Sequence, residues 1–131
     1  MEVTGASIAG GTPLDDAVGY GQWRVARRLV ERGARVEKLW HAAALGIMPL
    51  VEEHFARPEK PAPDDVNAAF WQACHGGQRQ AAEYLLARGA NVNWVPDWAK
   101  ETPLDMAECS GETGFIEWLR RQGAKSDKDA S

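Results

Sequence analysis

The sequence predicts an all-α fold. The expected architecture is a helical-repeat solenoid of about four helix-turn-helix units, with irregular second and third repeats. Three observations predict it. Glycines twelve residues apart recur as Gly21 and Gly33, Gly77 and Gly89, and Gly111 and Gly123. Nine residues before the first glycine of each pair stand Thr12, Ala68 and Thr102, and five residues after those anchors stand Ala17, Ala73 and Ala107. Three apolar stretches also end alike, at Arg32-Gly33-Ala34, Arg88-Gly89-Ala90 and Gln122-Gly123-Ala124. Recurrence at a fixed offset is the mark of stacked structural repeats.

The first helix of each unit carries its start signal. In Thr12-Pro13-Leu14-Asp15 and Thr102-Pro103-Leu104-Asp105 the threonine hydroxyl can cap orphan backbone N–H groups, and proline suits the first helical position. The aspartate three residues on favours the positive end of the helix dipole. Small Ala17 and Ala107 let neighbouring helices approach, and the next glycine breaks to the second helix. That second helix carries apolar pairs one turn apart: Val25, Ala26, Leu29 and Val30; then Leu50, Val51 and Phe55, with His54 intruding; then Ala81, Ala82, Leu85 and Leu86; then Phe115, Ile116 and Leu119. Such spacing makes one buried stripe. A glycine able to take a left-handed conformation then ends the helix.

A degraded copy runs from Glu37 through Leu39, Ala42 and Gly46 to Pro58, which replaces the terminal glycine. The units span about 12–36, 37–61, 64–95 and 102–125 of one domain covering 1–131, with 126–131 as a flexible tail. Anchors advance by 25, 31 and 34 residues. The short first step leaves almost no room for a β-turn finger between units one and two. The Pro-rich connection "RPEKPAPDDV", 57–66, predicts an early helix start at Asp64 or Asp65. Eighteen residues past each anchor stand Val30, Phe55 and Leu86, but Arg120 in the last unit, as expected of a polar outer face.

These residues carry a family resemblance. Thr-Pro-Leu-x-x-Ala, then glycine, then an apolar helix ending Leu-Leu-x-x-Gly-Ala-x-Val-Asn resembles the ankyrin repeat, best at "EYLLARGANVNW" and "TPLDMAECSG" and well at "TPLDDAVGYG". The resemblance covers roughly residues 10–125 and points to the small ankyrin-repeat proteins of bacteria. The family histidine after Thr-Pro-Leu is Asp15, Trp40, Trp71 and Asp105 here, and the anchor steps depart from the family's period of about 33. Only "NVNWVPDWAKE", 91–101, looks like a full finger loop.

Composition narrows the function. With 131 residues and 44% hydrophobic content the chain can bury a core. A net charge of −4 with interspersed signs argues against a general nucleic-acid binder. No run approaches the roughly 18 apolar residues of a membrane span. The start "MEVTGASIAGG" lacks the basic and apolar regions of a signal peptide. Cys74 and Cys109 make no disulfide framework, which fits a reducing, cytoplasmic location.

No P-loop, GxGxxG, HExxH or GxSxG motif occurs, so no enzyme, cofactor or metal site is predicted. Adjacent Cys74 and His75 point about 100° apart on a helix, which makes them poor partners; Cys74 reads as a small core residue. His75 could instead approach Cys109, one unit along. His54 reads as a satisfied, partly buried imidazole.

The resemblance implies protein binding through fingers and the solvent side of the first helices. The expected contact residues are Tyr20, His41, Gln72, His75, Trp94, Asp97, Trp98 and Ser110, with Ala44 and Leu45 on the same side. Trp94 and Trp98 serve either as interface anchors or as a fold-back over units three and four. Trp40 and Trp71, equivalent by offset, are expected to stack on each other. Arg24, Arg27, Arg28, Glu31 and Arg32 read as a basic patch for an acidic partner or as a solvated face in which Glu31 pairs with Arg27 or Arg28. The expected function is a non-catalytic protein-interaction module, a monomer or weak homodimer. The alternative is a small-molecule site or enzyme near Tyr20, His41, His75 and Cys109.

Overall fold

The computed structural model describes residues 13–34, 36, 38–97 and 99–126, and these form eight helices and no strand. They are α1 (Pro13–Gly19), α2 (Trp23–Glu31), α3 (Leu39–Leu45), α4 (Met48–Ala56), α5 (Pro63–His75), α6 (Arg79–Ala87), α7 (Pro103–Glu108) and α8 (Thr113–Arg121). Consecutive helices pair as α1 with α2, α3 with α4, α5 with α6 and α7 with α8, and α1, α3, α5 and α7 pack in succession.

Alanine is what permits that succession. Ala17, Ala42, Ala43, Ala69, Ala73 and Ala107 are all buried on these first helices. With methyl side chains between them, helices can approach toward the lower end of the usual ~8–10 Å separation. The larger residues Phe70, Leu85, Leu104, Phe115 and Leu119 fill the space between the first and second helices of the third and fourth pairs. They belong to a core cluster running from α3 to α8. Leu14, Ala17, Val18 and Ala26 of the first pair form a smaller cluster that closes on Ala44 and Leu45 at the end of α3.

Helix ends explain the recurring glycines. Gly21, Gly33, Gly46, Gly77, Gly89, Gly111 and Gly123 all have positive φ. Six of these turns repeat one hydrogen-bond pattern, in which the glycine N–H reaches back three residues and the next N–H reaches back five. At α1 these bonds are Gly21 to Val18 and Gln22 to Ala17; at α6 they are Gly89 to Leu86 and Ala90 to Leu85. The pattern satisfies orphan carbonyls of the last turn and needs a left-handed residue, which glycine adopts without a Cβ clash. At α7 a side chain takes over. The Ser110 hydroxyl donates to the Ala107 carbonyl at 2.6 Å and accepts from the Glu112 N–H at 3.3 Å.

At helix starts, Thr102 forms the expected cap, and more. Its hydroxyl accepts from the Asp105 N–H at 3.1 Å while the Asp105 carboxylate accepts from the Thr102 N–H at 2.9 Å. This reciprocal box satisfies two donors at once. Thr12 lies outside the described residues. The early start after the Pro-rich connection is present: α5 begins at Pro63, carries Asp64 and Asp65 in its first turn, and reaches 13 residues against seven for α1 and α3.

The 91–101 loop is built from two tight turns, closed by Trp94 N–H to the Asn91 carbonyl and Ala99 N–H to the Pro96 carbonyl. Its base is fastened by asparagines. Asn67 accepts from the Asn91 N–H at 2.7 Å. Asn93 donates to the Gly123 carbonyl at 3.1 Å and accepts from the Lys125 N–H at 2.8 Å.

Candidate functional site

Three helix-end turns converge on one open groove of about 680 Å³. The α1–α2 turn contributes Tyr20 and Gly21, with Trp23 opening α2. The end of α5 contributes His75, and the end of α7 contributes Cys109 and Ser110. Tyr20 is 60% exposed, an unusual degree for a large aromatic side chain.

His75 is the centre of the groove wall. Its ring meets Trp23 edge-on at 5.0 Å between centroids and Trp71 at 5.8 Å. Its Nδ1 lies 3.3 Å from Gln72 Oε1, so the amide oxygen favours a proton on that nitrogen. A Cβ placed on Gly21 would sit 2.9 Å from His75 Nε2, so the missing side chain is what lets the imidazole lie against the α1–α2 turn. Partial burial holds the His75 pKa below its usual 6.5, because water no longer solvates the imidazolium. Near neutral pH the ring is therefore an uncharged donor and acceptor.

The first pair thus reaches past the second to touch the third. The turn of the second pair is covered instead. Gly76 lies against the Ala44 carbonyl, and Gln78 packs over Gly46 and donates to the Gly76 carbonyl at 3.3 Å. Ala44 and Leu45, expected at the contact surface, are consequently buried.

His41 and Gln72 also differ from expectation. Both are buried, at 2% and 5% exposure. His41 Nε2 stands 2.5 Å from Asp15 Oδ1, and Lys38 Nζ lies 3.0 Å from both oxygens of the same carboxylate. A polar ring at that depth needs such a partner. His41 is therefore a tie between α1 and α3, and Gln72 orients His75 from beneath. The pocket expected around Tyr20, His41, His75 and Cys109 forms without His41.

Trp40 and Trp71 have separate companions. Trp40 lies against His41 at 4.2 Å, and Lys38 sits over its ring at 5.6 Å. Trp71 donates from Nε1 to the Glu101 carbonyl at 3.0 Å, joining the base of the 91–101 loop to the His75 wall. On that loop Asp97 is exposed and Trp94 is half-buried, while Trp98 lies outside the described residues.

Cys74 is fully buried, and burial pushes its thiol pKa up, so no thiolate nucleophile forms there. Cys109 is exposed. Among the described residues no three His, Cys, Asp or Glu side chains cluster as a metal site would require. No described helix is long and apolar enough to cross a membrane.

Trp23 was not singled out by sequence, although it follows Gly21 by two residues and so opens the second helix beside the turn. A further concavity of about 810 Å³ was equally illegible. There Arg88 lies 3.7 Å over the Tyr84 ring, beside Phe55.

No protein-family model matches this chain, and no curated protein sequence matches it.

Proposed function

We propose that the chain is an ankyrin-like solenoid of four helix pairs that binds a protein partner without catalysing a reaction. The observation that carries this reading is the groove shared by the turns that end α1, α5 and α7, with Tyr20 exposed at one side and Ser110 at the other. A groove that is not enclosed suits an extended or looped polypeptide better than a small molecule sealed from water. Tyr20 supplies apolar area on a side chain with few rotatable bonds. Neutral His75 and the polar lining from Gln78, Ser110 and Glu112 supply hydrogen bonds to a peptide backbone. The six matching helix ends and the succession α1–α3–α5–α7 support the repeat reading. In this proposal Trp94 and Asp97 of the 91–101 loop extend the contact, Trp98 completes it, and the protein works in the cytoplasm as a monomer or weak homodimer.

A small-molecule or enzymatic role would use the same groove, where His75 and exposed Cys109 both line the wall. Three baits separate the readings in lysate of the native host: wild type, Tyr20→Ala, and Trp94→Ala, each checked to be folded. The proposal expects a protein captured by wild type and lost with Tyr20→Ala. Identical capture by all three baits would refute the groove assignment. A metabolite that protects wild type from thermal unfolding, with no protein captured, would favour the alternative.

A further inference from the structure

The outer face of α2 carries a second feature, away from the groove-lining residues. Arg24, Arg28 and Arg32 are spaced four residues apart and line one shallow groove of about 180 Å³ with Val25 and Leu29. At ~1.5 Å rise per residue the backbone positions of these three arginines, the last at the C-cap of α2, span about 12 Å along the helix axis. Arg27 adds a fourth cation on the same helix. The expected pairing of Glu31 with Arg27 or Arg28 does not form. Among the described residues, no ion pair or side-chain hydrogen bond engages Arg24, Arg27, Arg28 or Arg32. Three other exposed arginines are paired, Arg57 with Glu53, Arg79 with Glu83 and Arg120 with Glu108, Arg88 lies over the Tyr84 and Phe55 rings, and Arg121 stands alone without such neighbours in line. Val25, in the same groove, is 47% exposed.

We propose that this arginine stripe docks an acidic amphipathic segment of a protein, with carboxylates one helical turn apart and small apolar side chains between them. Carboxylates at i, i+4 and i+8 on a partner helix repeat at the spacing of the three arginines, and arginine binds carboxylate bidentately. Val25 and Leu29 give the intervening apolar groups a surface to cover. That lane has no use in binding a phosphate backbone, and the acidic remainder of a chain of net charge −4 repels long polyanions. A membrane surface would call for a broader apolar face with aromatic residues, and only Val25 is prominently exposed here. This surface is independent of the groove reading, and either can stand without the other.

The test uses the full chain and a fluorescent synthetic helix with glutamate at i, i+4 and i+8 and alanine and leucine between, read by anisotropy. Arg24→Glu/Arg28→Glu/Arg32→Glu changes only exposed side chains, and circular dichroism checks that its helices persist. The expected result is saturable binding to wild type, weakened at least tenfold by the triple change and weakened also by raising salt. A scrambled peptide of the same composition binding equally well would overturn the proposal. So would unchanged affinity of the triple variant, no binding at low salt, or tighter binding to anionic vesicles or single-stranded DNA. Arg24→Lys/Arg28→Lys/Arg32→Lys keeps the charge but loses the bidentate fork, and it should bind with intermediate affinity.

Discussion

Replacing Gly76 with alanine should loosen the molecule at its centre. The added Cβ would lie 2.1 Å from the Ala44 carbonyl oxygen, against the 3.0 Å below which such contacts essentially never occur, so the α3 and α5 ends must part by about 0.9 Å. The obstacle is backbone on a buried helix, so no flexible side chain can swing aside. Overpacking of this kind costs about 1–3 kcal/mol. Gly76 itself has φ −84° and ψ 0°, which alanine tolerates. A more restricted unfolded chain returns up to ~1 kcal/mol. The net expectation is a loss of about 1–2 kcal/mol, a steric cost partly offset by the unfolded chain. With a urea dependence of ~1–3 kcal/mol per molar, the unfolding midpoint should fall by roughly 0.5–1.5 M at unchanged slope. Gly19→Ala is the control, since nothing lies within 4 Å of its Cβ position. Its midpoint should hold or rise. A Gly76→Ala protein as stable as wild type would refute the close packing of the two helix ends.

Three further outcomes follow from the same packing. Thr102→Ala removes the hydroxyl half of the α7 capping box and should cost about 1 kcal/mol in chemical denaturation, whereas Thr102→Ser should retain most of it. Phe70→Ala empties a fully buried position in the larger core and should cost about 3–5 kcal/mol; a loss under 1 kcal/mol would mean the site is not closed. Burial lowers the His75 pKa, so the unfolded chain takes up that proton more readily and stability must rise with pH across the window just below 6.5. The contribution is fully present above 6.5 and is lost as pH falls through the lowered value. His75→Asn should flatten that part of the stability profile between pH 5 and 7, and matching slopes for the two proteins would count against the burial of the ring.

Much of this molecule was legible because its signals are local. A glycine that must take positive φ, a proline at a helix start and an apolar pair per turn all act within a few residues, and helices α1 to α8 fall where those signals stand. The candidate site was legible only in part. Tyr20, His75 and Ser110 follow from their place at helix ends and do line one groove. His41 and Gln72 stand at the same offset, four residues past Glu37 and Ala68, yet both are buried. Their burial goes with Asp15 and His75, partners 26 and 3 residues away. Offset from a sequence anchor says which helix a residue occupies. It does not say which neighbour will be missing or displaced, and here the α1–α2 turn bypasses the second pair to reach the third.

The division of the interior has a consequence for how the groove behaves over time. The first helix pair rests on its own small apolar cluster and meets the rest mainly through α3, while the remaining pairs share one larger core. Amide hydrogens of α1 and α2 should therefore exchange at a lower opening free energy than those of α5, as a separate cooperative unit. Tyr20 and Trp23 belong to that looser unit; His75 and Ser110 belong to the firmer body. The groove is in effect a jaw with one fixed and one yielding side. A partner seated between them would hold the yielding side shut, so its arrival should register as slowed exchange in α1 and α2 before any change appears in the core.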